Sequence, residues 1–177
     1  MRPELLNTVL ILALTAAVVL SGILLRAVRR LRVLADTDPL TGLANRRAFQ
    51  ARLRALEYSG QTVTIASLDL NDLKEVNDAR GHPAGDALLR RTADILRAAC
   101  VPQYRVYRVG GDIFLLLGWQ QTPEQADRFL SRLRERLYSE GVDAALGWST
   151  APAAGPLSSL LTESDRNMYL DKRRCKY

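Results

Sequence analysis

The stretch YRVGGDIFLLL, Tyr107 to Leu117, predicts a β-hairpin. Strand-like residues lie on both sides of Gly110 and Gly111, which can adopt the positive φ angles that tight hairpin turns require. Asp112 follows the turn directly, and Ile113 comes next. The stretch therefore predicts a hairpin that presents a carboxylate beside a turn where backbone can approach a ligand.

The segments around this hairpin alternate between strand-like and helix-like patterns. Their apolar spacing predicts, in chain order, a helix capped by Asn45, a strand over Val63–Leu70, helices over Asp72–Ala79 and Gly85–Ala99, strands over Tyr104–Val109 and Asp112–Leu117, a helix over Pro123–Tyr138, a strand over Val142–Trp148 and a helix over Leu157–Asp171. This order is the split βαβ pattern of ferredoxin-like α+β sheets. In such a sheet the first strand and the hairpin are neighbours, so we expect Asp69 to lie close to Asp112.

An uncharged apolar run, Leu5 to Leu25, precedes the α+β part. Its length of about 21 residues suits a helix that crosses a bilayer core ~30 Å thick. Four arginines follow it, at positions 26, 29, 30 and 32, and the positive-inside bias then places the rest of the chain in the cytosol. A cleaved signal peptide is the alternative, but its basic residues would precede the apolar run.

The apolar run therefore predicts a single-pass protein of the bacterial cytoplasmic (inner) membrane, with the lipid bilayer as a partner. The expected organisation is a transmembrane helix over 1–26, a juxtamembrane helical stalk over 27–37 and a cytosolic domain over 38–177.

The net charge of +6 raises the possibility of a nucleic-acid partner. Much of the arginine lies beside the apolar run, however, and no strand carries an aromatic pair in an RNP-like pattern. We therefore expect no nucleic-acid partner. The two cysteines, Cys100 and Cys175, are too few for a disulfide framework and have no metal-ligand spacing.

Two carboxylates on adjacent strands, beside a glycine turn, are suited to holding Mg²⁺ for phosphate chemistry. Magnesium prefers a few hard oxygen ligands and takes the rest from phosphates and water. The alternative is that Asp69 and Asp112 are solvated strand-end residues, and spacing alone does not decide between the two.

Longer motifs do. TDPLTGLANRRAF (37–49), LDLNDLKEVNDARGHPAGDALL (68–89), RVGGDIF (108–114) and SDRNMYLDK (164–172) together resemble the GGDEF family, the diguanylate cyclases. The likeness extends from Asp38 to Lys176. It implies a Mg²⁺-dependent domain that condenses two GTP molecules into cyclic di-GMP in a face-to-face homodimer.

The resemblance also implies roles for individual residues. Asp69, the carbonyl of Leu70 and Asp112 match the metal ligands, and the two aspartates match the catalytic acids. Asn77 and Asp86 match the residues that bind guanine. Further substrate contacts are implied for Lys74, Lys172, Lys176, Gly110 and Gly111. Solvated helix ends are the alternative for Asn77 and Asp86, and a solvated basic tail for Lys172.

This chain departs from the family pattern inside the signature, where Ile113 replaces a glutamate. Asn71 replaces a second aspartate, and the inhibitory RxxD pattern is absent from 101–104. We therefore expect a membrane-anchored, GTP- and magnesium-binding GGDEF protein of cyclic di-GMP signalling, with weak or absent cyclase activity. An active diguanylate cyclase is the alternative.

Overall fold

The computed structural model describes the backbone of residues 3–174 and the side chains of Glu4, Leu12 and residues 14–174. The chain divides into two compact units, Met1–Asp36 and Thr37–Tyr177. The first contains one helix, α1 (Pro3–Asp36).

α1 contains the stretch for which the sequence predicts a membrane span. In the part of the chain that the structure describes, no helix is long and apolar enough to cross a bilayer. The predicted location in the bacterial inner membrane is therefore wrong. The transmembrane helix over 1–26 and its lipid partner are not supported.

The second unit is an α+β domain. Its elements are β1 (Ala44–Asn45), α2 (Arg46–Leu56), β2 (Thr62–Leu70), α3 (Leu73–Arg80), α4 (His82–Ala99), β3 (Tyr104–Arg108), β4 (Ile113–Trp119), α5 (Pro123–Ser139), β5 (Ala144–Pro152) and α6 (Ser158–Arg174).

The strands form one five-stranded sheet in the order β1-β3-β4-β2-β5. β1 runs parallel to β3, and all other neighbours are antiparallel. The α+β class is therefore confirmed, and β2 lies beside β4, as the split βαβ pattern predicts. The two-residue edge strand β1 was not predicted, because so short a segment has no periodicity to reveal it.

Alternation along β2 builds a core on each face of the sheet. Val63 and Ile65 pack with residues of α2 and α6, whereas Leu68 and Leu70 pack with residues of α4 and α5. Because successive strand residues point to opposite faces, Asp69 lies on the same face as Val63 and Ile65. That is the face covered by α6.

Helix α6 packs unusually close to β5. A Cβ atom built on Gly147 would lie 1.9 Å from the backbone nitrogen of Met168, so only glycine fits there. The close approach lets side chains cap the free edge of β5. Asp171 accepts a hydrogen bond from the backbone N–H of Leu146, and Arg134 donates to the carbonyl of the same residue. Asn167 donates to the carbonyl of Trp148.

Candidate active site

The predicted acidic residues lie at the adjoining ends of β2 and β4. Asp69 is paired in register with Ile113, and the backbone N–H of Leu70 donates to the carbonyl of Asp112 at 3.2 Å. Directly opposed residues of an antiparallel pair share a face, with Cβ atoms about 5 Å apart. The side chain of Ile113 is therefore a near neighbour of the Asp69 carboxylate.

The carboxylate of Asp69 is already neutralised by a side chain of α6. Lys172 Nζ lies 2.7 Å from Asp69 Oδ1, and the two side chains are 27% and 15% exposed. Two residues before Asp69 on β2, Ser67 donates to Asp165 of α6 and shares a hydrogen bond with Ser164. α6 is thus fastened to β2 by polar contacts along the face that carries Asp69.

Asp112 has a different environment. Its side chain is half-buried, and none of the residues that the structure describes makes an ion pair or hydrogen bond with its carboxylate. The described part of the chain also contains no group of three or more His, Cys, Asp or Glu residues that could hold a metal ion. A cation here would rely on the oxygens of Asp69, Asp112 and the Leu70 carbonyl, a donor set that fits a Mg²⁺ ion completed by phosphates and water.

The turn between β3 and β4 is longer than the two glycines. Val109 to Asp112 connect the strands, and the N–H of Val109 bonds to the carbonyl of Ile113 at 3.0 Å. Neither Gly110 nor Gly111 adopts a positive φ. A Cβ on Gly111 would contact nothing within 4 Å. The turn itself therefore does not require glycine there, in contrast to the expectation for a two-residue turn.

Arg108 holds this turn in place. Its guanidinium donates twice to the carbonyl of Gly111, at 2.7 and 3.2 Å, and forms an ion pair with Asp38 at 3.0 Å. Asp38 also accepts hydrogen bonds from the backbone and hydroxyl of Thr41. Burial acts to raise the pKa of Asp38, but the hydrogen bonds from Thr41 and Arg108 outweigh it and lower that pKa below its usual value.

The opposite side of the turn is also held by an arginine. Arg46, the first residue of α2, donates from Nε to the carbonyl of Val109 at 2.9 Å. α2 begins there because the side chain of Asn45 caps the N–H groups of Arg47 and Ala48. Asn45, Arg46 and Arg47 line a cleft of about 540 Å³ beside Gly110.

The predicted guanine-binding residues come together at the junction of α3 and α4. Asn77 is near the end of α3, and its Oδ1 lies 2.0 Å from where a Cβ on Gly85 would be. Asp86 follows Gly85 directly, is 45% exposed and forms a long ion pair with Arg90 at 3.9 Å. Gly85 is therefore required for the Asn77 amide to pack against α4 at the position before Asp86.

The predicted phosphate-binding lysines have separate positions. Lys74 is exposed on α3, and Lys172 pairs with Asp69 rather than pointing freely into solvent. Lys176 lies outside the described residues, as does Cys175.

Besides the Lys172–Asp69 pair, the sequence did not predict two other polar pairs. One is Asp38–Arg108, which fixes the turn. The other is Asn71–Asp143, in which the amide of Asn71 donates to the carboxylate of Asp143 at 3.0 Å. The only available signals were an acidic residue in the first motif and an arginine before the glycines, and neither indicates its partner.

Comparison with known proteins identifies the family. The family described as "Diguanylate cyclase, GGDEF domain" matches residues 35–176. An uncharacterized signaling protein of Caulobacter vibrioides is 35% identical over 161 residues, which cover 82% of this chain and 20% of that protein. The cyclic di-GMP phosphodiesterase PdeR of Escherichia coli is 34% identical over 158 residues, covering 83% of this chain and 24% of PdeR. An uncharacterized protein of Streptomyces griseus is 50% identical over 109 residues, covering 58% of this chain and 45% of that protein. The chain thus spans less than half the length of each of these relatives.

Solved structures share the fold. The coiled coil and GGDEF domain of DgcB from Caulobacter crescentus has a TM-score of 0.80 and 24% identity, covering 93% of this chain and 94% of that one. SiaD of Pseudomonas aeruginosa, solved with its activator SiaC, has a TM-score of 0.74 and 28% identity, covering 97% of this chain and 72% of that one. Because the family match extends over most of the α+β unit and of the chain as a whole, the protein described here belongs to the GGDEF family.

Proposed function

We propose that this GGDEF domain takes part in cyclic di-GMP signalling by binding GTP with Mg²⁺, and that it forms cyclic di-GMP slowly or not at all. The observation that carries the proposal is the register of β2 and β4, in which Asp69 is opposite Ile113. Acidic residues that can hold a cation are retained, while the adjacent signature position is aliphatic.

Asp69, Asp112 and the carbonyl of Leu70 would hold the magnesium ion. When bound, Mg²⁺ would neutralise the triphosphate and polarise the phosphoryl group that is attacked. The chain's own contribution is to fix the two carboxylates, and the Leu70–Asp112 backbone bond does this by joining the ends of their strands.

Guanine recognition would come from the α3–α4 junction. A carboxylate accepts from the N1 and N2 donors of guanine, and an amide can both donate and accept. Asp86 and Asn77 would provide these groups from the same helix junction, where Gly85 leaves room for the amide. Lys74, Lys172 and Lys176 would contact the phosphates as cations.

Gly110 and Gly111 would allow the nucleotide to approach the turn backbone. Neither residue needs to be glycine for the turn geometry, because neither has a positive φ. Close approach by a ligand supplies a reason for glycine that the turn alone does not.

Turnover requires more than binding. A 3′-hydroxyl must be activated next to the metal, and Ile113 can neither accept a proton nor ligate a cation. Since Ile113 is on the same face as Asp69, it occupies the position from which a glutamate would act. Cyclic di-GMP also contains two nucleotides, so its synthesis would require a homodimer with one GTP in each domain.

The proposal is tested by incubating the full chain with GTP and Mg²⁺, measuring cyclic di-GMP by chromatography and GTP affinity by calorimetry. We expect GTP binding with little or no product. Asp86→Asn should weaken GTP binding, whereas Asp78→Asn, a matched change on exposed α3, should leave it unchanged. Rapid product formation would instead establish an active diguanylate cyclase. Absence of GTP binding would reject the nucleotide-binding role.

A further inference from the structure

The ion pair between Lys172 and Asp69 joins two residues that the proposed function assigns to different parts of the ligand. Asp69 would bind the cation, and Lys172 would bind phosphate. In the structure they bind each other, at 2.7 Å. The ammonium group therefore pairs with the same carboxylate that a divalent cation at Asp69 would need.

Lys172 is held in reach of Asp69 by the anchoring of α6. The helix backbone packs against Gly147, Asp165 bonds to Ser67, and Asp171 bonds to the backbone of Leu146. With the backbone fixed in this way, only the flexible side chain of Lys172 has to move for the pair to open.

The pair is also sheltered from solvent. Both side chains are less than one third exposed, so water and salt screen their attraction less than they would at the surface. The other candidate ligand, Asp112, has no such cation among the residues that the structure describes. Competition for the site is therefore concentrated on one of its two carboxylates.

We propose that Lys172 is an internal competitor of the divalent cation at Asp69, so that the cation binds weakly until phosphate groups draw the lysine away. This inference rests on the proposed function, because it takes Asp69 as a cation ligand. The triphosphate and the metal then favour each other's binding, since each removes a partner from the same ion pair.

The experiment measures Mn²⁺ binding to the full chain without nucleotide, by electron paramagnetic resonance. Lys172→Gln should bind Mn²⁺ about tenfold more tightly than wild type, because Asp69 loses its competing cation. Arg173→Gln removes the same charge from the adjacent exposed position and should change the affinity by no more than about twofold. Lys172→Arg keeps a cation and should remain as weak as wild type.

A thermal measurement distinguishes competition from a folding defect. Without metal, Lys172→Gln should have a lower Tm than wild type, because it leaves Asp69 uncompensated. Mn²⁺ should then raise its Tm more than that of wild type, as expected for tighter binding to the folded state. Adding Asp69→Asn to Lys172→Gln should abolish the gain.

The outcomes separate the inference from the function beneath it. Equal Mn²⁺ affinity in wild type and Lys172→Gln overturns the competitor role and leaves the metal site in place. Equal tightening in Lys172→Gln and Arg173→Gln also overturns it, because general electrostatics would then account for the change. If neither wild type nor Lys172→Gln binds Mn²⁺, the proposed metal site is rejected together with the inference.

Discussion

The end of β2 and the turn between β3 and β4 each present one aspartate, but only the aspartate of β2 is paired with a cation among the described residues. Asp69 is paired with Lys172 from a helix that is packed tightly on the sheet. Asp112 has no such partner among the described residues, since the nearby cation of Arg108 is bound to Asp38 and to the turn carbonyl. Two aspartates that match one family site can therefore have different electrostatic environments, one with a paired cation and one without. In the proposed metal site, one carboxylate would have to be released from its lysine before it bound a cation, whereas the other would be available at once.

The largest expected effect comes from restoring the missing acid at the turn. Ile113→Glu should raise cyclic di-GMP formation by about 10²–10³-fold, because one such electrostatic group typically contributes that much to a rate. Product is measured by chromatography with saturating GTP and Mg²⁺. Ile113→Gln is the control of similar size and should not raise the rate. A failure of Ile113→Glu to gain activity would mean that Ile113 is not the main deficit of the site.

The second-largest effect concerns the ion pair between Asp38 and Arg108, which holds the turn between β3 and β4. Asp38→Asn should lower the free energy of unfolding by about 2–3 kcal/mol, somewhat less than for a fully buried pair, because Arg108 loses its counter-charge. The side chains of Arg108 and Asp38 are 11% and 19% exposed, respectively. Urea denaturation at pH 7 measures the change, and Asp94→Asn, in an exposed ion pair with Arg97, should cost under ~1 kcal/mol.

The same pair makes a prediction about pH. The pKa of Asp38 is lowered in the folded protein, so its charge stabilises the fold at any pH above its usual value of 3.8. This contribution is lost as the pH falls through the lower, folded-state value. The stability difference between wild type and Asp38→Asn should therefore shrink in acid and vanish below that pKa. A difference that persists unchanged into strong acid would contradict the role of the charge.

A third test compares Gly147, on which α6 packs, with Gly111 in the turn between β3 and β4. Gly147→Ala should cost about 1–3 kcal/mol of stability, because the new methyl group would displace α6, which carries Lys172. Gly111→Ala should change stability by less than ~0.5 kcal/mol, since its methyl group would meet nothing and the backbone is unstrained. Chemical denaturation distinguishes them. Similar losses in both variants would show that the packing of α6 is not unusually tight.

The smallest effect concerns the residue that follows β2. Asn71→Asp should cost about 1 kcal/mol, because it places a second carboxylate against Asp143, where the amide now donates. The double variant Asn71→Asp with Asp143→Asn reverses the pair and should recover most of the loss. Unfolding is measured at low and high salt, and the cost should fall as salt rises. No recovery in the double variant would show that the two side chains are not coupled.

The sequence predicted the sheet better than the contacts between its ends. Apolar alternation along Val63–Leu70 requires a strand with two buried faces, and the order of elements places it beside the hairpin. The neighbourhood of Asp69 and Asp112 follows from that order. The pairing of Lys172 with Asp69 could not be predicted, because it depends on how closely α6 approaches the sheet, and that distance is set by Gly147.

Other features had no sequence signal strong enough to use. Asp38 and Arg108 are far apart along the chain, and no periodicity connects them. The glycine turn was expected to be short and to need positive φ, but hydrogen bonding to Ile113 closes a longer connection instead. In the sequence, the apolar run near the N-terminus has the length of a membrane helix. The described part of α1 does not qualify as one.

The capped edge of β5 has a consequence for assembly. An unprotected outer strand is a template onto which another chain can add a strand, which leads to swapping or fibre formation. Here Asp171, Arg134 and Asn167 already occupy backbone groups that such an intruder would need. Copies of this domain that meet in solution would therefore have to displace these side chains before a strand could be added at this border of the sheet.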